Sequence, residues 1–409
     1  MRGWKVRLTP KISGNHAIVP GLVNAHSHAF QRVIRGRTEQ RTSTGVDNFW
    51  TWREAMYRAA NRLTPIDIYD IARMTYMDML LAGITTVGEF HYLHHAPDGA
   101  RYEDANLLAH QVIRAANDVG IRIVLLRTAY ERAGWEKAAN PLQSRFIFRS
   151  VDSFIHDTDE LIRSGAAAVG IALHSVRALQ LRSILRLAEY ARSKNLPIHM
   201  HASEQPSEIE ECLAEHGRRP VELLQENGIL GEDFTAIHAI HITEQEADKL
   251  GAARSTVCAC PTTERNLGDG AVPADLLFDK NVRICFGTDS NAQIDLLEDA
   301  RCLEYHLRMG KLSRAMLPVG ALYRGLSEVG YQALALPQNE ADYFTVDLNH
   351  PSLAGFECSD VATQLVFCAQ TAAIRDVFVG GTQVIADGHH PDQSEIITAF
   401  QKVQQRLWQ

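Results

Sequence analysis

The sequence predicts an α/β fold: a (β/α)8 barrel of the TIM type with a small β-sandwich-like domain formed by the two termini. Short runs of β-branched and apolar residues alternate with longer segments of helical periodicity along most of the chain. Such alternation, with strands that are apolar throughout, is typical of a parallel sheet covered by helices. Eight such units match the number that closes a barrel. We expect the barrel over residues 18–339, and the small domain over residues 1–17 and 340–409.

The elements follow one another in a regular order. Helical periodicity is clearest over residues 65–81, 179–194 and 208–227. The eight predicted strands cover residues 18–28, 84–91, 121–130, 168–175, 197–203, 235–241, 256–261 and 283–289.

The tail of the chain has a different pattern. Residues 342–347 resemble a single strand, and residues 376–385 resemble a hairpin that turns at Gly380-Gly381. The first seventeen residues are also strand-like. We therefore expect the two ends of the chain to pair in the small domain, with a helix at the C-terminus.

The composition is that of an ordinary globular protein. Of the 409 residues 45% are hydrophobic and 22% are charged, and the formal net charge is −8. An acidic chain without a basic block argues against nucleic acid as a partner. No apolar run approaches the ~18 residues of a membrane span. Seven cysteines without a disulfide framework, and a start without a signal-peptide core, predict a cytoplasmic protein.

Histidines occur at the carboxyl ends of the predicted strands, where TIM barrels carry their active sites. His26 and His28 end the first strand, and residues i and i+2 of a strand point to the same side. His201 ends the fifth strand and Asp289 ends the eighth. These four residues offer three nitrogen donors and one oxygen donor to a divalent metal, for which we expect Zn²⁺, with Fe²⁺ as the alternative.

Two further residues complete a hydrolytic site. Such an open metal site lowers the pKa of a bound water to about 7, so that hydroxide is available at neutral pH. Glu204 lies three residues beyond His201 and can pass a proton from this water to a leaving nitrogen. His238, on the sixth strand, can polarise the attacked carbon or steady the hydroxide together with Asp289. We predict Glu204, His238 and Asp289 as the catalytic residues.

Other histidines fit structural roles better. His199 faces away from His201 on its strand, and His241 lies beyond the point where its strand reaches the site. His94 and His95 follow the second strand and are either a solvated pair, a supporting feature or a second metal site.

The number of metals also follows from the sequence. Barrel hydrolases with two ions usually bridge them with a carbamylated lysine on the fourth strand. Here His174 ends that strand, and no lysine occurs between Lys137 and Lys194. We therefore expect one metal per chain.

The order of these residues resembles the mononuclear deaminase branch of the amidohydrolase superfamily, and the chain is most similar to its formiminoglutamate deiminases. The metal motifs specify only the superfamily, whereas the segments FWTWR and HSVR are far more specific. The similarity extends through nearly the whole barrel and into the tail. The segments that carry it are residues 26–32, 49–53, 89–99, 174–177, 201–205, 217–220 and 266–270.

The resemblance implies hydrolysis of N-formimino-L-glutamate to N-formyl-L-glutamate and ammonia, a step of histidine degradation. Two arginines suit such a dicarboxylate amidine, since a guanidinium group can grip a carboxylate in a bidentate way that lysine cannot. We also expect a homodimer. The substrate residues implied by matching motifs are Gln31, Arg53, Tyr92, His174 and Arg177.

One position departs from the family's pattern, and two other functions stay open. Asn291 stands where a further histidine is expected, which bears on substrate preference. A purine or pyrimidine deaminase of the same superfamily, acting on a guanine- or adenosine-like substrate, would share the metal but would need stacking aromatics and amide donors. A catalytically silent binding homologue would have lost a chemical residue, yet the ligands, Glu204 and His238 are all present. The unrelated cytidine-deaminase type is excluded because its H-x-E and P-C-x-x-C signature is absent.

Overall fold

The computed structural model describes residues 10–41, 47–355 and 361–408. The first nine residues of the predicted N-terminal part of the small domain lie outside this description. The described strands are β1 (Lys11–Ser13), β2 (His16–Pro20), β3 (Leu22–Ser27), β4 (Ile84–His91), β5 (Arg122–Ala129), β6 (Ala168–Leu173), β7 (Ile198–Ala202), β8 (Phe234–His238), β9 (Thr256–Ala259), β10 (Arg283–Phe286), β11 (Tyr343–Asp347), β12 (Ile374–Val379) and β13 (Thr382–Ile385).

The helices lie mostly between the strands, as the alternating pattern predicts. They are α1 (Phe49–Ala60), α2 (Pro65–Leu81), α3 (Leu107–Val119), α4 (Val151–Ser164), α5 (Leu181–Ser193), α6 (Pro206–His216), α7 (Pro220–Glu226), α8 (Glu244–Ala252), α9 (Pro261–Leu267), α10 (Ala274–Asp279), α11 (Leu296–Lys311), α12 (Val319–Gly325), α13 (Glu328–Ala333), α14 (Val361–Phe367) and α15 (Gln393–Trp408).

Strands β3 to β10 form the predicted barrel, which confirms the fold class. They pair in parallel and in sequence order. The first and last strands meet through a parallel bridge between Ser27 and Asp289, just beyond the end of β10. Because all eight strands run the same way, their carboxyl ends open on one face of the barrel.

The two ends of the chain form one antiparallel sheet of the described residues, in the order β1-β2-β11-β12-β13. The predicted hairpin is present as β12 and β13. Gly380 and Gly381 connect these strands with φ angles of 58° and 81°, the left-handed pair that a tight two-residue turn requires. The predicted terminal helix is α15, which packs against α2.

The prediction of a single strand over residues 18–28 is wrong. The segment divides at Gly21 into β2, which belongs to the small sheet, and β3, which starts the barrel. Ile18 accordingly pairs with Thr345 of β11. A Cβ atom at Gly21 would lie 2.1 Å from Oγ1 of Thr85, so only glycine allows the chain to cross between the sheets here.

The helix predicted over residues 208–227 is also two elements, α6 and α7. Gly217, with φ of 67°, ends α6 in the left-handed conformation that commonly terminates helices. Pro220 then occupies the first turn of α7, where its missing N–H group costs nothing. The other seven predicted strands each overlap a barrel strand.

No helix among the described residues is long and apolar enough to cross a membrane.

Candidate active site

Four side chains converge at the carboxyl end of the barrel. Nε2 of His26 and Nε2 of His28 lie 3.2 Å and 3.3 Å from Oδ1 of Asp289. Nε2 of His201 lies 3.2 Å from Nε2 of His26. One donor atom from each of the four lies within 4.8 Å of all the others, and all four residues are buried. The structure thus brings together the four residues predicted as metal ligands.

Backbone carbonyl groups fix the tautomers of two of these rings. Nδ1 of His28 donates to the carbonyl oxygen of Phe90 at 2.9 Å, and Nδ1 of His201 donates to that of His174 at 3.0 Å. A neutral ring that donates from Nδ1 presents a lone pair on Nε2. For His28 this lone pair faces the carboxylate of Asp289, an arrangement that repels unless a cation lies between them. The donor set therefore fits a divalent metal.

The protonation states of the cluster favour metal binding as well. Burial lowers the pKa of His26 to about 3, and it also lowers the pKa values of His28 and His201. Burial alone would raise the pKa of Asp289, but the hydrogen bond and charge of His26 and the charge of His238 hold it below its ordinary value. Neutral imidazoles and an ionised carboxylate are the forms in which these groups bind metals.

The cluster lies at the seam of the barrel, which is the pairing between the end of β3 and the chain just after β10. The N–H group of His28 donates to the carbonyl oxygen of Asp289 at 2.9 Å, and the N–H group of Asp289 donates to that of His26 at 3.0 Å. Asn291, which is fully buried, donates from Nδ2 to Oγ of Ser27 and to the carbonyl oxygens of His28 and Asp289. The departure at Asn291 therefore concerns the seam and not the lining of the cavity.

Glu204 and His238 lie beside this cluster. Nε2 of His238 is 3.6 Å from Oε1 of Glu204 and 3.8 Å from Oδ2 of Asp289. Burial raises the pKa of Glu204. Burial alone would lower the pKa of His238, but Glu204, Glu264 and Asp289 outweigh it and raise that pKa. A carboxyl group whose pKa is raised towards neutrality is suited to accept and return a proton.

Glu264 is a residue of the site that sequence reasoning missed. Its Oε1 lies 3.2 Å from Nδ1 of His238 and accepts the N–H group of Cys260 at 2.9 Å. Proton donation from Nδ1 to Glu264 leaves Nε2 of His238 directed towards Glu204 and Asp289. His238 itself has φ of 73°, a left-handed conformation of the strained kind that is common at functional sites. No local motif indicates Glu264, because it lies on α9 after β9, far along the chain from His238 at the end of β8.

The residues matched to substrate binding line the same cavity as the cluster and Glu204. Helix α1 covers the mouth, capped by Asn48, whose side chain accepts the N–H groups of Trp50 and Thr51. Phe49 and Trp52 of this helix also line the cavity. The predicted substrate-binding residues that line it are Gln31, Arg53, Tyr92, His174 and Arg177.

The polar groups of this lining are incompletely satisfied. Nε and Nη1 of Arg53 are buried and have no hydrogen-bond partner in the described part of the chain, and the guanidinium lies 4.3 Å from the ring centre of Trp50. Nε2 of Gln31 donates to the hydroxyl of Tyr92 at 2.9 Å, but Oε1 of Gln31 has no partner among the described residues. Buried donors and acceptors without partners in a cavity are typical of a site that binds a polar ligand.

The four histidines that the sequence placed outside the metal site have backbone partners. Nε2 of His199 bonds to the carbonyl oxygen of Ala333 on α13, and that of His241 bonds to the carbonyl oxygen of Asp269. His94 and His95 bond to the carbonyl oxygens of Thr128 and Ile147. These contacts agree with the structural roles expected of His199 and His241. The bonds of His94 and His95 hold the loop after β4 against neighbouring backbone.

Comparisons with known proteins agree on a family. A model of the amidohydrolase family matches residues 17–384. Formimidoylglutamate deiminase of Pseudomonas aeruginosa is 35% identical over 95% of this chain and 88% of its own length. 5-Methylthioadenosine/S-adenosylhomocysteine deaminase of Thermodesulfovibrio yellowstonii is 26% identical over 93% of this chain and 83% of its own. The crystal structure of an amidohydrolase from Brucella melitensis superposes with a TM-score of 0.88 at 31% identity, covering 100% of this chain and 97% of that one.

The ligand cluster leads to a prediction of metal content. Purified protein is expected to hold about one equivalent of divalent metal, and His28→Ala or Asp289→Ala should lose it, because too few donors remain. His241→Gln, which alters a neighbouring histidine outside the cluster, should keep the metal. Elemental analysis of the three variants is the measurement. Two tightly held equivalents in the wild-type protein would contradict the prediction.

A second prediction concerns Glu264. Glu264→Gln should lower kcat by roughly 10- to 100-fold, because the neutral amide can no longer hold the charged ring of His238 as firmly in place. Metal content and KM should stay near the wild-type values. Glu304→Gln, which alters an equally buried carboxylate that accepts the N–H groups of Met316 and Leu317, is the matched control. Equal losses of kcat in both variants would reduce Glu264 to a general structural role.

Proposed function

We propose that this chain, which belongs to the amidohydrolase family, hydrolyses N-formimino-L-glutamate to N-formyl-L-glutamate and ammonia, a reaction of histidine degradation. One observation carries the proposal: two arginines, Arg53 and Arg177, line the same cavity as the metal-ligand cluster and Glu204. In an acidic protein, two guanidinium groups in one cavity suit a ligand with two carboxylates. The similarity to a formimidoylglutamate deiminase supports this substrate.

We further propose that His26, His28, His201 and Asp289 hold one Zn²⁺ per chain, with Fe²⁺ as the alternative. Three nitrogen donors and one carboxylate oxygen form a donor set that Zn²⁺ accepts readily. When bound, such an ion lowers the pKa of a water molecule to about 7 and polarises the group under attack.

The acid–base steps then fall to Glu204 and His238. Glu204 takes a proton from the attacking water and returns it to the formimino nitrogen, and it then carries the proton of the remaining hydroxyl group to the same nitrogen. The bond between carbon and this nitrogen breaks as the carbonyl group of N-formyl-L-glutamate forms, and the nitrogen leaves as ammonia. His238, oriented by Glu264, steadies the attacking oxygen together with Asp289.

The substrate's two carboxylates are assigned to different arginines. Arg177 lies three residues beyond His174, whose ring centre is 5.1 Å from that of His201. It therefore suits the α-carboxylate, which is close to the reacting carbon. Arg53 extends from α1 over the mouth and suits the γ-carboxylate, two methylene groups further away. Gln31, Tyr92 and His174 line the space between the cluster and the arginines.

A purine deaminase is the second candidate, because Phe49 and Trp52 line the cavity and could stack on a base. Similarity to a 5-methylthioadenosine/S-adenosylhomocysteine deaminase supports the same alternative. However, a neutral base offers no anion to the guanidinium nitrogens of Arg53, which would then remain buried without partners.

The proton-transfer step leads to a prediction for Glu204→Gln. The variant should bind its metal and fold, but turnover of N-formimino-L-glutamate should fall by about 10²–10⁴-fold, because an amide cannot carry the proton to the departing nitrogen. Ammonia release at saturating substrate is the measurement, with metal content as the control. Near-normal turnover would move the proton transfer to another group, His238 first.

The arginine assignment leads to a prediction that separates the two carboxylates. Arg53→Met and Arg177→Met should each lower kcat/KM for N-formimino-L-glutamate by about 100-fold or more, because a carboxylate would be buried without its partner. Arg53→Met should have little further effect on N-formimino-L-norvaline, which lacks the γ-carboxylate. Arg177→Met should have little further effect on N-formimino-4-aminobutyrate, which lacks the α-carboxylate.

Arg186→Met is the matched control, since Arg186 pairs with Asp152 at the surface of the barrel. It should behave as the wild type towards all three substrates. Faster ammonia release from guanine or adenosine than from N-formimino-L-glutamate would overturn the substrate proposal and favour the second candidate.

A further inference from the structure

Tyr57 lines the cavity beside both arginines, yet no motif or family match assigns it a role. It lies on α1, one helical turn after Arg53, and is 2% exposed. The guanidinium of Arg53 lies 5.5 Å from its ring centre. Its ring packs against Phe146, which also contacts the ring of Tyr92. The phenol is thus held rigidly between the helix and the barrel.

The hydroxyl of Tyr57 belongs to a buried hydrogen-bond network. Nε2 of Gln143 donates to the oxygen of Tyr57 at 3.0 Å and to the oxygen of Tyr130 at 2.6 Å. The two phenol oxygens lie 3.3 Å apart. The charge of Arg177 also acts on Tyr130 from the other side of the network. The network therefore joins both sides of the cavity.

The charges around the network favour one direction for the bond between the phenols. Arg177 carries only donors and a positive charge, so it favours a Tyr130 oxygen whose lone pairs are directed towards Arg177 and Gln143. We therefore assign the hydrogen between the phenols to Tyr130, with Tyr57 as its acceptor. The oxygen of Tyr57 then accepts from Gln143 and from Tyr130. Its own hydrogen has no acceptor in the network and is available to the cavity.

From this network and from the place of Tyr57 in the cavity beside Arg53, we infer that Tyr57 is a specificity residue. Its hydroxyl donates a hydrogen bond to the γ-carboxylate held by Arg53. This inference rests on the proposed function and names a second contact for the γ-carboxylate of its substrate. The oxygen of Tyr57 already accepts hydrogen bonds from two neighbours, so its own O–H group is oriented before the ligand binds. Burial and the neighbouring Tyr130 raise the pKa of Tyr57, so its proton stays in place at neutral pH.

The contact also distinguishes a carboxylate from its analogues. A carboxylate bound by Arg53 and Tyr57 receives donors of two kinds, one charged and one neutral. A methyl group in the same place would leave the hydroxyl of Tyr57 and two nitrogens of Arg53 without acceptors. The γ-end of the cavity therefore selects for an anion by penalising every ligand that lacks one.

The test compares Tyr57→Phe with wild-type protein on two substrates. With N-formimino-L-glutamate the variant should lose roughly 10- to 100-fold in kcat/KM, the range for a hydrogen bond to a charged group. With N-formimino-L-norvaline, in which a methyl group replaces the γ-carboxylate, it should be at least as active as the wild type, because the variant no longer buries an unpaired hydroxyl against the methyl group. Tyr323→Phe is the matched control, because Tyr323 is also buried and its hydroxyl has no partner among the described residues.

Two results would overturn the inference. Unchanged kinetics of Tyr57→Phe on both substrates would mean that Gln143 accepts the proton of Tyr57. Equal losses on both substrates would mean that Tyr57 supports the fold of the cavity without touching the γ-carboxylate. Thermal melting of each variant separates such losses from unfolding.

A separate measurement keeps the inference distinct from the proposed function. Wild-type protein that is inactive on N-formimino-L-glutamate would overturn the function itself. Calorimetric titration of metal-loaded protein with glutarate still examines Tyr57, because this ligand offers carboxylates without the reaction. Weaker binding by Tyr57→Phe, at unchanged binding by Tyr323→Phe, would support the inference. Glutarate that does not bind, or that binds both variants as tightly as the wild type, would overturn it.

Discussion

The bridge that closes the barrel is the contact on which the rest of the site depends. It joins the end of β3 to the chain after β10 and places three of the four ligands, His26, His28 and Asp289, within one segment of backbone pairing. Asn291 bonds to both sides of the same seam. Any loss of strand register here would separate the carboxylate from the imidazoles. The fold and the metal site are consequently stabilised by the same hydrogen bonds.

The seam also concentrates polar groups that the interior can hold only when they are paired. Three neutral rings and a carboxylate are buried at one point, and a cation would satisfy all of them. Next to them, the His238 ring is held between Glu204 and Glu264. The two regions differ, since the first needs a cation, whereas in the second the ring of His238 bonds to Glu264 and directs towards Glu204 an Nε2 that has no hydrogen-bond partner among the described residues. On the proposed function, this division would keep the proton carrier, Glu204, next to the metal without making it a ligand.

The sequence predicted the parts of this arrangement that repeat with the fold. Histidines at strand ends could be recognised because the carboxyl ends of parallel strands meet on one face. Glu264 could not be recognised, since its contact with His238 depends on how the short helix α9 is placed after β9. The break at Gly21 was missed for a similar reason. The apolar residues on both sides of Gly21 predict one strand. Only the close contact between Gly21 and the side chain of Thr85 shows why a glycine separates the two sheets there.

On the proposed function, substrate choice is governed by a different part of the molecule from the chemistry. The ligands, Glu204 and His238 lie on or directly after barrel strands, whereas Arg53 and Tyr57 belong to α1, a helix in the long connection between β3 and β4. Such connections can change without disturbing the barrel, so one metal site can serve several substrates. In this chain the helix brings a cation and a phenol to the cavity. Two buried nitrogens of Arg53 have no hydrogen-bond partner among the described residues, and this unmet electrostatic requirement, more than the shape of the cavity, supports the proposal of a dicarboxylate over a base.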